Sequence, residues 1–328
     1  IAKICRVSEG TVDRALHDRG GIKKATKEKI LKVAKDLNYQ TNQLASGLAK
    51  GKTMTLGVVC INLKNNFFAV LMQEIESYAK EHGYYISLLL THNEDKKELE
   101  GIRYLQSRQV DGVIIFPCGT GEDYVREMKQ FQIPMVTIYN RIAPDFVHVN
   151  IDGFAIMKEA VKRILEKGYQ RIIYVDSGSQ RVAQRGVNID SLQQRRLGYL
   201  AGIDEQSKFF PEAANSYIME EFDEEEILSL ADPNRKYKSA LLCPYDNLAI
   251  RALNVLQKAK IKIPEDIGIM GFDNIDLLKV ITPRLCSVDC DSKLLAKIAV
   301  DRLLQIIEGK EVAMETMIGY SMTDGETL

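Results

Sequence analysis

Within residues 7–16, VSEGTVDRAL, the hydrogen-bonding side chains Ser8, Glu9, Thr11, Asp13 and Arg14 stand apart from an apolar set, Val12, Ala15 and Leu16, at helical spacing. Hydroxyls, carboxylates and a guanidinium gathered on one side of a short helix can bond to polar edges and phosphates of a partner. Ser8 is a good N-cap and Glu9 sits in the positive first turn, so the helix starts where the spacing says it should. The preceding IAKICR ends another helix, with Ile1, Ala2 and Cys5 on a common face. Two short helices joined this tightly form a helix-turn-helix, whose second helix can lie in the major groove of DNA. Small helical hairpins also occur in proteins that never meet nucleic acid, so these residues alone leave both readings open.

Charge separates them. Residues 1–53 hold 12 Lys and Arg against 5 Asp and Glu, a net +7, while the whole chain is −1, which leaves −8 for residues 54–328. A solvated surface explains charge density but not this segregation; a head that meets phosphates on a body that does not explains both.

The 328 residues allow several domains with proper cores, and the composition is that of a soluble globular protein. No apolar run is long enough to cross a bilayer and the basic start lacks a signal-peptide core, so a cytoplasmic protein is expected. The sequence opens inside a helical pattern without Met, and we expect residues to precede it. Cys5, Cys60, Cys118, Cys243, Cys286 and Cys290 form no CxxC pair, and His17, His82, His92 and His148 no HxH or HExxH spacing. Buried free thiols, with no metal and no cofactor, are therefore expected. There is no GxSxG elbow and no P-loop, and GTGEDY fails the dinucleotide fingerprint at its third glycine, which argues against an enzyme.

These groups need elements to position them. Thr26 is placed to cap a third helix, TKEKILKVAKDLNY, giving the head a minimal core. TNQLASGLAKGKT follows, with Leu44, Ala45 and Leu48 on one face of a segment too short to be a stable helix alone. It reads either as a plain linker or as a helix that orders only when held. From Met54 strand-like runs alternate with amphipathic helices, as in TLGVVCI, YYISLLLT, VDGVIIFP, IPMVTIYN, QRIIYVD, SALLCP and DIGIMGF. This alternation predicts doubly wound, mainly parallel sheets in two halves, with ligand groups at the carboxyl ends of strands and a cleft between. The helix SKLLAKIAVDRLLQIIEG carries an apolar stripe available for self-association.

The chain resembles the lactose-repressor/galactose-repressor family of bacterial transcription regulators over essentially its whole length. VSEGTVDRALH is similar to the family's VSxxTVSRxLN signature, LNYQTNQLASGL to its hinge pattern, and RQVDGVIIF to its RxVDGxI strand; RRLGY, CPYDNLAIRAL and IMGFDN stand where the family has RxxGF, ANDxxAxGxL and VxGFDD. The resemblance implies an α/β fold with an N-terminal all-α head: residues 1–41 a helix-turn-helix DNA-binding domain, 42–53 a hinge helix and linker, and 54–328 a two-lobed, periplasmic-binding-protein-like core for ligand binding and dimerisation. It also implies a homodimer reading a palindromic double-stranded operator as a repressor, under control of a small effector, a sugar or sugar derivative. The rival is a sugar-binding protein that does not bind DNA; it leaves the basic head unexplained.

By resemblance Glu9, Gly10 and Arg14 face base edges. Arg14 can donate two hydrogen bonds to a guanine, Glu9 can accept from a cytosine or simply cap, and Gly10 has no side chain to read with. Ser8, Thr11 and Thr26 are placed to touch phosphates. The hinge brings Asn42, Ala45 and Leu48, and paired hinge helices would wedge Leu48 into the minor groove. In the cleft, Asn65, Phe67 and Phe68 resemble an NPFF loop, with Asn66 replacing proline. Asn140 and Arg141 resemble an Asp-Arg pair that grips hydroxyls, Arg195 is the arginine of RxxG, and Asp273 ends a strand. Asp152 has a capping role as an alternative to ligand contact. Tyr245 stands where Asn is common and Cys290 where Gln is frequent. Asp13 and His17 also depart from the family's Ser and Asn, and Thr41 from its hinge proline.

Overall fold

The computed structural model describes residues 1–39, 51–232 and 234–328, and the chain divides into two compact units, Ile1–Thr53 and Met54–Leu328. In the first, α1 (Ala2–Cys5), α2 (Glu9–Leu16) and α3 (Lys24–Asp36) pack around Cys5, Val12, Ala15 and Ile30. Arg6, at φ 55°, turns the chain out of α1. Ser8 then caps α2 through Thr11 N at 3.2 Å, and its hydroxyl also meets Thr11 Oγ1 at 2.9 Å. Thr26 is not the cap of α3: the helix begins at Lys24 behind Lys23, whose carbonyl accepts from Thr26 N and Lys27 N. Lys24 and Ala25 are strong helix formers and carry the helix back past the hydroxyl.

The second unit holds two six-stranded sheets. The first has the order β2 (Tyr85–Leu90), β1 (Thr55–Cys60), β3 (Gly112–Ile115), β4 (Met135–Ile138), β5 (Val147–Ile151), β11 (Glu315–Ile318), parallel throughout. The second runs β7 (Tyr217–Met219), β6 (Arg171–Val175), β8 (Ser239–Leu242), β9 (Ile267–Asp273), β10 (Cys286–Asp289), β12 (Ser321–Thr323), parallel except for β10–β12. β3, β4, β5, β8 and β9 are buried at every position, as strands covered by helices on both faces must be, hence the mainly apolar character of all but β5, where His148 and Asn150 alternate with Val147, Val149 and Ile151.

The halves are not consecutive in sequence. The chain leaves the first sheet after β5, returns after β10 to build the Ser292–Ile307 helix and β11 there, and leaves again to add β12 to the second. The Ser292–Ile307 stripe, which the sequence leaves available for self-association, is instead internal: Leu295, Ala296, Ala299, Val300 and Leu303 are buried, and the helix lies against β3, β4, β5 and the Asn66–Glu81 helix.

One helix pair fixes the second lobe. Helices Gly153–Glu166 and Asp190–Gln206 approach so closely that a Cβ on Gly198 would stand 2.2 Å from the Phe154 carbonyl oxygen, and one on Gly202 3.0 Å from Val161 Cβ. The glycine of RRLGY is thus required by packing, and the seam sets where Arg195, one turn earlier, points.

Candidate functional site

The outward side of α2 presents exposed Ser8, Glu9, Gly10, Asp13 and Arg14, with Thr11 and Thr26 half-buried. Asp13 is not available to a partner as an isolated charge: Arg19 Nη1 lies 3.3 Å and His17 Nδ1 2.9 Å from its carboxylate. Arg14 pairs with no carboxylate among the described residues. A Cβ on Gly10 would meet only Ser8 Oγ, at 4.0 Å, so nothing inside the head demands a glycine. Gly10 is the second residue of α2, in its first turn, where a glycine costs less than the roughly 1 kcal/mol it costs in a helix interior. Asn42, Ala45 and Leu48 lie outside the described residues.

In the second unit a cavity of about 420 Å³ opens between the lobes at the carboxyl ends of their strands. Of the ten residues expected there, Asn65, Phe67, Phe68, Asn140, Arg195, Tyr245 and Asp273 line it. Asn65 caps the Asn66–Glu81 helix, accepting from Phe67 N at 3.2 Å, and so fixes where the two phenylalanines project. Phe67 packs on Tyr139 (centroids 5.4 Å) and Phe68 edge-on against Phe116 (5.3 Å), giving an aromatic wall. Tyr139, at φ 63°, and Phe116 were not anticipated from the sequence; both follow strands of the first sheet.

On the opposite wall Arg195 is buried, its guanidinium 3.6 Å over the Phe272 ring, with Nη1 donating to the Pro244 carbonyl. Asp273 Oδ1 stands 4.0 Å from that Nη1, beyond a hydrogen bond, and Arg195 Nε and the Tyr139 hydroxyl have no partner among the described residues. Burial pushes the Asp273 carboxyl well above the usual carboxylate range and nearby Asp246 reinforces it, while Arg195 opposes both. Asp273 holds φ 108° at the end of β9, a conformation that costs a non-glycine residue on the order of 1–3 kcal/mol. Neighbouring Asp246 holds the turn in place, accepting from Ile275 N at 2.9 Å and Ser287 Oγ at 2.6 Å; burial raises its pKa to about 7.

Three expected residues are elsewhere. Arg141 turns outward to an ion pair with Glu315, because β11 lies beside β5 at the sheet edge. Asp152 is the exposed cap of the Gly153–Glu166 helix, accepting from Ala155 N at 2.8 Å. Cys290 is buried behind the cleft beside Tyr139, and burial holds its thiol well above the ordinary range.

Asn140 lines the cavity, but its amide is committed. Nδ2 donates to Pro117 O at 3.0 Å in its own lobe and to Asn188 O at 2.9 Å in the other, and Oδ1 accepts from Ser191 N at 3.1 Å. Asn188 answers with Nδ2 to Arg141 O at 2.9 Å and its own N–H to Cys118 O at 2.8 Å. Residues 188–191 of the second lobe are thereby laced to the first; an Asp at position 140 could not donate to either carbonyl. Asn188, in an irregular loop, carried no sequence signal.

A basic helix-turn-helix joined in one chain to a two-lobed cleft of this topology defines a DNA-binding protein equipped to answer to a small ligand. The model for bacterial regulatory proteins, lacI family, matches residues 1–42, and the periplasmic binding protein-like domain model matches residues 161–327. Catabolite control protein A of Staphylococcus aureus (strain MRSA252) is 31% identical over 290 residues, 88% of this chain and 85% of that one. A periplasmic binding protein/LacI transcriptional regulator from Alkaliphilus metalliredigens QYMF, solved with D-xylulofuranose, is 25% identical with TM-score 0.70, covering 84% of this chain and 98% of the other. The Lac repressor dimer bound to operator and the anti-inducer ONPF has TM-score 0.83 at 19% identity, over 99% and 97%. The chain belongs to the lacI family of bacterial regulatory proteins, and it is a DNA-binding transcriptional regulator. Among the described residues no helix is long and apolar enough to cross a membrane.

Proposed function

We propose that this regulator acts in the cytoplasm as a homodimeric repressor, without catalysis, and that a neutral polyhydroxylated ring compound, a sugar or sugar derivative, sets its affinity for a palindromic operator. The observation that carries the ligand reading is the buried Arg195, with a free Nε and an Asp273 carboxyl held 4.0 Å away beneath an aromatic wall. A hydroxyl between the two can accept from one and bond to the other, while C–H faces of the ring lie on Phe67, Phe68 or Tyr245. The burial that raises the Asp273 carboxyl suits it to bond an uncharged hydroxyl rather than to balance the neighbouring guanidinium. The sugar-like ligand of the Alkaliphilus relative agrees with this chemistry.

On the DNA side Arg14 reads a guanine, Glu9 accepts from a cytosine or caps its own helix, and Ser8, Thr11 and Thr26 touch the phosphates, once per half-site. Asn42, Ala45 and Leu48 order as a hinge on the operator, and closure of the lobes around the effector orders or releases it by repacking the dimer. A sugar-binding protein without DNA binding is disfavoured by the +7 head. Titrating a palindromic library over a range of salt, with and without sugars, tests the whole reading: a selected palindrome with steep salt dependence supports it, and weak sequence-independent binding refutes it. Leu48→Ala tests the hinge, since a minor-groove wedge is worth a few kcal/mol; operator affinity unchanged within about twofold removes it.

A further inference from the structure

The cleft does not end at the aromatic chamber. A second cavity of about 430 Å³ lies at its mouth, bounded by residues 92–96 of the first lobe and by Val182, Arg185 and Val187 of the second. Asn93, Val182 and Val187 line both cavities, so the two are contiguous through a waist with a valine pair on one side and an asparagine on the other. Pockets that enclose a drug-sized ligand run from about 300 to 1,000 Å³. The inner chamber alone lies near the lower end of that range and the two together near the upper end.

Their chemistries differ. The inner chamber has five aromatic side chains, Phe67, Phe68, Phe116, Tyr139 and Tyr245, around one acid, Asp273, the buried Arg195 guanidinium and an exposed Lys64. The outer chamber has no aromatic ring apart from the His92 imidazole; it presents Asn93, Asp95, Lys96 and Arg185, donors and acceptors of both signs, all exposed. Glu94 is taken up by Lys97 at 2.6 Å, and Asp95 accepts from Lys96 N at 2.7 Å. Arg185 has no carboxylate partner among the described residues. A single ionic group would meet its own sign on such a wall, whereas a second sugar unit carries hydroxyl donors and acceptors all round and meets a partner in every direction.

Resting on the reading of the cleft as a sugar site, we propose that the effector is a disaccharide or longer glycoside: one ring sits in the aromatic chamber, the glycosidic link passes the Val182–Val187 waist, and the second unit is held by the outer chamber through Arg185 and its neighbours. Each lobe contributes to both chambers, so the second unit also bridges the lobes.

The test is calorimetric titration of the full chain with paired probes: glucose against maltose, cellobiose and trehalose, galactose against lactose and melibiose, xylose against xylobiose. For at least one pair the disaccharide binds ten-fold or more tightly than its parent monosaccharide. Arg185→Ala, which touches only the outer chamber, brings the disaccharide down to within about threefold of the monosaccharide and leaves the monosaccharide unchanged. Lys96→Ala acts in the same direction, and unaltered melting temperatures show that both variants are folded. Monosaccharides that bind as tightly as every disaccharide overturn the proposal while leaving the sugar reading of the inner chamber in place. So does an Arg185→Ala variant that keeps the full disaccharide advantage. If no saccharide of either length binds, the reading of the cleft fails and the proposal fails with it.

Discussion

Replacing Asn140 by alanine deletes three hydrogen bonds, of which two, to Asn188 O and from Ser191 N, tie one lobe to the other. The third, to Pro117 O, lies within the first lobe. A neutral hydrogen bond contributes about 1 kcal/mol net, because the separated groups recover water when the lobes part, so the closed arrangement loses about 2 kcal/mol. At about 1.4 kcal/mol per factor of ten, the closed-to-open ratio falls roughly 30-fold. If the closed form is the one that holds the effector, the apparent dissociation constant rises toward that same factor wherever the open form comes to dominate. Small-angle scattering without ligand reads the geometry, and titration with a bound sugar reads the linkage. The variant should show a larger radius of gyration and weaker binding together, with a melting temperature lowered by the bond inside the first lobe and by the share of the two inter-lobe bonds that the unliganded closed form holds. Asn188→Ala, which keeps its main-chain bond to Cys118 O, should shift both readouts the same way by less. An unchanged radius combined with an affinity within twofold of the parent would show that these bonds do not govern closure.

Gly198→Ala should destabilise by about 1–3 kcal/mol or more, since the new methyl meets the Phe154 backbone, whereas Gly202→Ala, facing side-chain and Cα atoms at 3.0 Å or beyond, should cost less; thermal melts of the two rank them. Two buried groups should tilt stability against pH in opposite senses. Asp246, raised to about 7 by burial, keeps a proton that the unfolded chain has released, so its contribution falls as pH climbs from about 4 to about 7. His148, lowered to about 4 by burial and by Arg141, lacks a proton that the unfolded chain holds below about 6.5, so its contribution rises as pH climbs from about 4 to about 6.5. Melting curves of Asp246→Asn should therefore slope more steeply upward with pH over that window than the parent's, and those of His148→Asn more downward; parallel curves would remove both assignments. Arg14→Ala should cost about 1–3 kcal/mol of operator binding and relax the preference at one base pair per half-site, read by selection from a randomised palindrome.

The head was legible because its signals are local: a capping serine, an apolar face and a run of basic charge all fall within a few residues. The start of α3 was misjudged for a related reason, since a hydroxyl signals a cap while Lys24 and Ala25 signal helix, and propensity prevailed. In the body, strands with unbroken apolar runs declared themselves, but β5 did not. Val147, Val149 and Ile151 alternate with His148 and Asn150, and the polar pair looks like loop until His148 is seen bonded to Thr137 Oγ1 at 2.8 Å inside the sheet. The cleft walls were legible where a residue ends a strand or starts a helix, as Asn65, Asp273 and Tyr245 do. Arg141 was misplaced because its direction depends on β11, which is 174 positions away in sequence. Asn188 and Tyr139 were missed because one sits in an irregular loop and the other reads as ordinary strand hydrophobe; only the pairing of lobes makes either a site residue.

β11 and β12 lie within nine residues of each other, and between them they supply an outer strand to each sheet, with Thr327 beyond them bonding to Ile269 O at 2.7 Å and to Cys286 N at 2.9 Å. During synthesis neither lobe can be completed before residues 315–327 have left the ribosome, so both halves reach maturity in the same instant. A nascent chain stalled a few codons short would carry a finished reading head on an unfinished sensor.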